Sequence, residues 1–239
     1  MNGSPGREAT TIVAPATPAG TGGVSIVRLS GPGAFPIASR LTGVDPASAP
    51  PRTLLRCDVR DGAGEPFDSG MVVFFPSPRS FTGEDVAELH LHGNPAVVEG
   101  AVRAACDAGA APAEPGEFSR RAFLNGKMDL TQAEGLADLT EARTEAAARS
   151  ALRQMRGGIR AAVAPLRERL LTLLTVLSAA MDFSEEDDVP VVTQAQLEER
   201  VSEFSKDLES LLRSYSTGHR FRDGATVAIA GVANVGKSR

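Results

Sequence analysis

The residues with the most specific chemical meaning are Gly231 to Ser238, which read Gly-Val-Ala-Asn-Val-Gly-Lys-Ser. The spacing G-x-x-x-x-G-K-S is that of a phosphate-binding loop. Its glycines let the backbone wrap an anion, its N–H groups cradle phosphates, Lys237 would reach the β and γ phosphates, and the Ser238 hydroxyl would hold Mg²⁺. The apolar run Ala225 to Ala230 precedes it and reads as a buried strand, the context such a loop needs. A glycine-rich strand-to-helix turn would use the same residues. The chain reaches Arg239 one residue later. The helix that would face the phosphate is therefore expected outside these 239 residues. The chain by itself is expected to bind nucleotide weakly or not at all, and its length reads as an interruption.

Other reactive side chains carry plainer readings. His90 and His92 stand at i and i+2, so they share one strand face. No third ligand follows at suitable spacing, and no metal site is expected from them. Cys57 and Cys106 show neither disulfide-framework nor metal spacing, and Cys57 reads as apolar filler in a strand. Glu84 and Asp85 follow Thr82-Gly83 and read as turn and cap groups. The acidic run Glu185 to Asp188 reads as a solvated connector.

These residues need elements to hold them. Val24 to Leu29 predicts a strand with Val24, Ile26 and Arg28 on one face and Ser25, Val27 and Leu29 on the other. Arg52 to Arg60, Met71 to Phe75 and Val86 to His92 also read as strands, with a turn at Asp61-Gly62. Asn94-Pro95 opens a helix with Asn94 as N-cap, an apolar stripe of Val97, Val98, Ala101, Val102 and Ala105, and Gly109 as C-cap. A short helix is expected over Glu117 to Leu124.

The texture changes at Lys127-Met128-Asp129. Thr131 with Glu134 predicts a capping box before one long helix, broken or bent at Gly157-Gly158 and Pro165. Thr193 with Gln196 predicts a second box. Leu197, Val201, Phe204, Leu208, Leu211 and Tyr215 then form a heptad-like seam. Two long amphipathic helices need partners from another subunit or from sequence after Arg239. Leu170, Leu174, Leu208 and Leu212 are the residues expected to be left exposed meanwhile. The fold class is α+β.

Composition narrows the classes. Apolar residues make up 42% and charged residues 23%, enough for a sizeable core, and aromatics only 5%. The formal charge is −5 and the pI about 5.3, which argues against a chain held on nucleic acid by a global basic surface. Few cysteines and no signal-peptide pattern suggest an intracellular, cytoplasmic protein, and no apolar run reaches bilayer length.

Four stretches resemble one family. They are Thr11-Ile-Val-Ala with Gly22-Gly-Val-Ser-Ile-Val-Arg-Leu-Ser-Gly31; Ser80-Phe-Thr-Gly-Glu-Asp-Val-Ala-Glu-Leu89 with His92-Gly93; Pro115-Gly-Glu-Phe-Ser-Arg-Arg-Ala-Phe-Leu-Asn-Gly-Lys-Met-Asp-Leu130 running into Thr131-Gln-Ala-Glu134; and Met181-Asp-Phe183 with the Gly231 loop. In order and spacing the chain is similar to the N-terminal half of the MnmE (TrmE) family of tRNA uridine-modification GTPases. It departs from that family in having Val232-Ala233 where Arg-Pro is frequent, and Arg239 where a small hydroxyl residue is usual.

The resemblance implies three parts. Residues 1–130 would form a tetrahydrofolate-binding and dimerisation domain, similar to the folate domains of glycine-cleavage T proteins. Residues 131–223 would be the first part of a helical domain, and 224–239 the first strand and phosphate loop of a Ras-like G domain. It implies 5-formyl-tetrahydrofolate, GTP, Mg²⁺ and K⁺ as cofactors. Implied partners are a second copy, the flavoprotein MnmG (GidA) and tRNA, without a membrane. The implied activity is modification of C5 of the wobble uridine in the carboxymethylaminomethyl/aminomethyl pathway, coupled to GTP hydrolysis. By resemblance Arg28, Glu88 and Lys127 would contact folate, and Asn234, Val235, Gly236, Lys237 and Ser238 would contact GTP. Asn234 would hold potassium and Ser238 magnesium. Arg120 and Arg121 would be surface charges or line the folate cleft, and Glu84 and Asp85 would have a modest role in the site. The competing reading is a dimeric folate-binding scaffold without GTPase activity of its own.

Overall fold

The computed structural model describes residues 10–182, 193–223 and 230–231. The chain divides into two compact units, Met1–Asp129 and Leu130–Arg239. In the first unit the elements run β1 (Ile12–Pro15), β2 (Gly22–Ser30), α1 (Ala34–Thr42), β3 (Leu55–Arg60), β4 (Pro66–Phe75), β5 (Val86–Gly93), α2 (Pro95–Asp107), β6 (Ala111–Pro112) and α3 (Glu117–Leu124). The strands form one sheet in the order β3-β4-β5-β2-β1-β6. All neighbours pair antiparallel except β1 with β6.

Period-2 alternation gives this sheet two different faces. Val27 pairs with Leu89, which pairs with Val72; Leu29 pairs with Ala87, which pairs with Phe74. These residues are buried and meet Ile37, Ala38 and Leu41 of α1 and Ala101, Ala104 and Ala105 of α2. Small alanines let α2 lie close to the sheet. Phe35 meets Phe74 edge-on at 5.2 Å between ring centroids. The other face carries Arg28 opposite Glu88, and Ile26 opposite His90, which pairs in turn with Met71.

The four strands expected between Val24 and His92 and the two helices expected after β5 occur, with shifted edges. Arg52 lies in a turn at φ 60°, so β3 starts at Leu55 rather than Arg52, and β4 begins at Pro66, well before Met71. Asn94 caps α2, its side chain accepting from the Ala96 N–H at 2.9 Å. The C-cap is Ala108 rather than Gly109, which follows it at φ 106°. Helix α1, which the local sequence pattern does not predict, lies inside a glycine- and proline-rich stretch. A hydrogen bond holds its start: the Gly33 N–H donates to Thr11 Oγ1 at 2.6 Å. A Cβ on Gly31 would stand 2.8 Å from the Thr11 Cα, so only glycine fits that approach.

The second unit comprises α4 (Leu130–Glu141), α5 (Glu145–Met155), α6 (Gly158–Asp182) and α7 (Gln194–Asp223). The expected single helix after Asp129 is two. Thr144 takes an extended conformation and accepts from the Ala147 N–H at 3.1 Å, capping a new helix. Thr131 lies inside α4, so the first expected box does not frame its start. Gly157, at φ 85°, makes the next break, whereas Pro165 sits within α6 without ending it. The second box forms: Thr193 Oγ1 accepts from the Gln196 N–H and Gln196 Oε1 accepts from the Thr193 N–H.

Helices α4 and α5 pack tightly through Gly135, where a Cβ would stand 2.6 Å from the Met155 nitrogen. Gln132 Nε2 donates to the Met155 carbonyl and Gln154 Nε2 to the Thr131 carbonyl. Helices α6 and α7 also touch, and Arg169 pairs with Asp207 between them. Of the expected seam, Leu197, Phe204 and Leu211 are half-buried while Val201 and Leu208 are exposed.

Candidate functional site

The site is built on the sheet face that α1 and α2 leave free. Arg28 and Glu88, 60 residues apart in sequence, are cross-strand partners. The guanidinium donates from Nε to Glu88 Oε1 at 2.8 Å, and a terminal nitrogen lies at ion-pair distance, 2.8 Å, from the same oxygen. Two rings stand over the guanidinium, Phe81 at 5.4 Å and Phe118 at 5.6 Å to the centroids. Phe81 comes from the loop between β4 and β5, and Phe118 from α3. Neither ring was singled out from sequence. Both lie inside stretches that carry the family resemblance, which was the signal available.

A buried ionic cluster holds that loop against α3. Arg121 donates to Glu84 Oε2 at 3.2 Å, to Glu117 Oε1 at 3.2 Å and to the Thr10 carbonyl at 2.8 Å. Its side chain is 5% exposed and that of Glu117 4%. Ser30 Oγ donates to Glu84 Oε2 at 2.6 Å. That uses the only proton of Ser30, so the Thr82 hydroxyl, 2.7 Å away, donates to Ser30. Arg121 is thus not a surface charge, and Glu84 is not merely a turn group. Both serve to dock the loop. Arg120, by contrast, is exposed.

Lys127 is exposed and donates from Nζ to the Pro78 carbonyl at 2.9 Å. It makes no hydrogen bond or ion pair with Arg28 or Glu88, but it braces the same loop. A Cβ on Gly83 would stand 3.2 Å from its Cγ and 3.1 Å from the Asn125 Cβ, and Gly83 holds φ 81°. Asn125 Nδ2 donates to the Thr82 carbonyl. The structure therefore brings Arg28 and Glu88 into contact and seats Lys127 on the neighbouring loop. The expected nucleotide and metal residues Asn234, Val235, Gly236, Lys237 and Ser238 lie outside the described residues, as does most of the strand before them.

The histidines separate. His92 Nδ1 bonds Asp68 Oδ1 at 2.6 Å, and its N–H donates to Asp68 Oδ2. Burial pushes the Asp68 carboxyl up, but hydrogen bonds from His92 and Ser69 bring it net below the ordinary carboxylate range. His90 faces Glu88 instead. Among the described residues, no group of three or more His, Cys, Asp or Glu could hold a metal. Burial, then the Asp58 and Asp68 carboxylates, push the Cys57 thiol up to about 11, so it is no nucleophile at neutral pH. A separate cleft of about 510 Å³ lies between α2 and the Asp61–Ala63 turn. Phe67, Val97 and Arg103 line it, and it shares no residue with the Arg28 site.

Chemically, the Arg28 face offers cations for carboxylates, a carboxylate acceptor for N–H donors, and aromatic surface for a flat ring. Among the described residues, no helix is long and apolar enough to cross a membrane.

Comparison with known proteins gives two family matches. Residues 11–127 match the model described as the GTP-binding protein TrmE N-terminus, and residues 130–227 match the MnmE helical domain. A relative from Nitrosococcus oceani, named tRNA modification GTPase MnmE, is 47% identical over 97% of this chain and 50% of its own length. A protein of the same name from Halorhodospira halophila is 46% identical over 97% of this chain and 48% of its own. One from Aquifex aeolicus is 43% identical over 95% and 50% respectively. The chain spans about half the length of the curated relatives it matches.

Proposed function

Because the chain belongs to the MnmE (TrmE) family of tRNA modification GTPases, we propose that it works in modification of C5 of the tRNA wobble uridine, binding a one-carbon folate through its first unit. In this reading the full protein hydrolyses GTP in the cytoplasm and acts as a homodimer with the flavoprotein MnmG. Residues 1–130 bind 5-formyl-tetrahydrofolate and dimerise, 131–223 begin the helical domain, and 224–239 begin the G domain. Gly231 to Ser238 would hold GTP, with Asn234 on K⁺ and Ser238 on Mg²⁺.

The observation that carries the folate part is the Arg28–Glu88 pair on the free sheet face, beneath Phe81 and Phe118. These groups fit a folate. Its pterin edge presents N–H donors that a carboxylate accepts, its ring has faces for aromatic contact, and its tail carboxylates suit Arg28 or Lys127. A bound folate would supply the one-carbon unit. The protein residues would bind and orient it, Glu88 accepting from the heterocycle and the cations neutralising the tail.

Calorimetric titration of 5-formyl-tetrahydrofolate into the chain tests this. Binding is expected, and Arg28→Ala should weaken it by at least about tenfold, the scale of one lost charge-assisted hydrogen bond. Equal affinity in the variant would remove Arg28 from the site.

A further inference from the structure

Arg28 meets Glu88 at one oxygen, Oε1: Nε donates a hydrogen bond to it and a terminal nitrogen pairs ionically with it, both at 2.8 Å. The second oxygen, Oε2, has His90 Nε2 beside it at 3.5 Å, close enough for ionic attraction yet not hydrogen-bonded. That ring nitrogen is buried and makes no hydrogen bond among the described residues. A buried polar atom left unpaired costs folding free energy, so its presence beside a binding carboxylate calls for a role. Its place follows from the strand period: Glu88 and His90 are i and i+2 on β5, facing the same side.

We propose that His90 is a positioning residue of the Arg28–Glu88 site, setting through Nε2 whether Glu88 Oε2 is open to an N–H donor of the ligand. The inference rests on the folate reading, since the donor in question is the N–H edge of a pterin. With a neutral ring whose proton sits on Nδ1, Nε2 has no hydrogen to donate and Oε2 keeps its lone pairs for the ligand. A protonated ring puts a charged donor there, and charge-assisted bonds close to about 2.7–2.9 Å, so a small rotation occupies Oε2. Ligand and proton then compete for one oxygen, and each weakens the other.

The groups facing His90 are few. Glu88 lies on its own strand, Ile26 and Arg28 on β2, and Met71 on β4 with Arg56 paired beyond it on β3. His92 follows on β5 and is held by Asp68. Carboxylates and guanidinium groups as types keep their charge between about pH 6 and pH 8, whereas histidine titrates near pH 6.5. His92 is therefore the control.

The experiment measures the affinity of the full chain for 5-formyl-tetrahydrofolate at about pH 8 and about pH 6, for wild type, His90→Gln and His92→Gln. Wild type should bind roughly two- to fourfold more weakly at the lower pH, because at about pH 6 a histidine of ordinary type is only about three-quarters protonated and competition can cost no more than about fourfold. His90→Gln should bring the ratio of the two affinities toward one, and His92→Gln should keep the wild-type ratio. A flat wild-type profile overturns the inference without recourse to any variant, while binding at the higher pH leaves the folate reading standing. A wild-type slope that survives in His90→Gln, or vanishes in His92→Gln, also overturns it. No binding at either pH overturns the folate reading, and this inference with it.

Discussion

At the scale of single residues, each of two sheet carboxylates has its own partner. Glu88 takes Arg28 and Asp68 takes His92, though both acids begin as ordinary strand residues. The Asp68 case has a consequence for stability against pH. Its carboxyl lies below the ordinary range in the folded chain. Such a group stabilises the fold above its unfolded pKa, about 3.9, and that contribution is lost as pH falls through the lower folded value. Urea midpoints should therefore drop on acidification into this range, and drop less in Asp68→Asn. An identical slope in the variant would mean the His92 contact contributes nothing.

At the scale of elements, α3 and the β4–β5 loop behave as one piece because Arg121 is shared between them. Its partners are Glu117 on its own helix and Glu84 on the loop. This cluster fixes Phe118 and Phe81, and those rings meet over Arg28. Arg121→Met would remove this guanidinium from two carboxylates, one of them almost wholly buried. Breaking a buried pair from one side costs about 3 kcal/mol or more. Chemical denaturation followed by circular dichroism should register that loss, and adding Glu117→Gln should recover part of it. A loss under about 1 kcal/mol would show the cluster to be dispensable to the docking of α3, as for surface pairs.

At the scale of the whole molecule, the two units differ in how well they cover their apolar residues. The sheet unit buries Val27, Leu29, Leu89 and Phe74. The helical unit leaves Leu170, Leu174, Leu208 and Leu212 exposed, Leu174 by 60% and Leu212 by 64%. Exposed apolar surface of this kind associates. Sedimentation of the chain should show concentration-dependent self-association, and Leu174→Glu with Leu212→Glu should reduce it. Unchanged behaviour in the double variant would place the association elsewhere.

Much of this architecture was already legible in local sequence. The alternation in Val24 to Leu29 sorts Arg28 from Val27 because side chains in a strand alternate, whatever the partner strand. Asn94, Thr193 and Gln196 announce their helices because capping is an interaction over two or three residues. The same locality explains the four exposed leucines, which lie at helical spacing, Leu170 with Leu174 and Leu208 with Leu212, on amphipathic helices that need partners. Locality also explains the failures. Thr144 capping a separate helix depended on α4 and α5 folding back on each other through Gly135. Glu84 looked like a turn group because its cation is 37 residues away in sequence. The meeting of Phe81, Phe118 and Arg28, and the placing of His90 against the free oxygen of Glu88, needed strands and loop brought together. Sequence by itself determined most strands, the capped helices, the faces of the strands and the family, since these rest on short-range periodicity and on motifs. Only the tertiary structure decided which charges share a hydrogen bond, because that depends on packing between segments far apart in the chain.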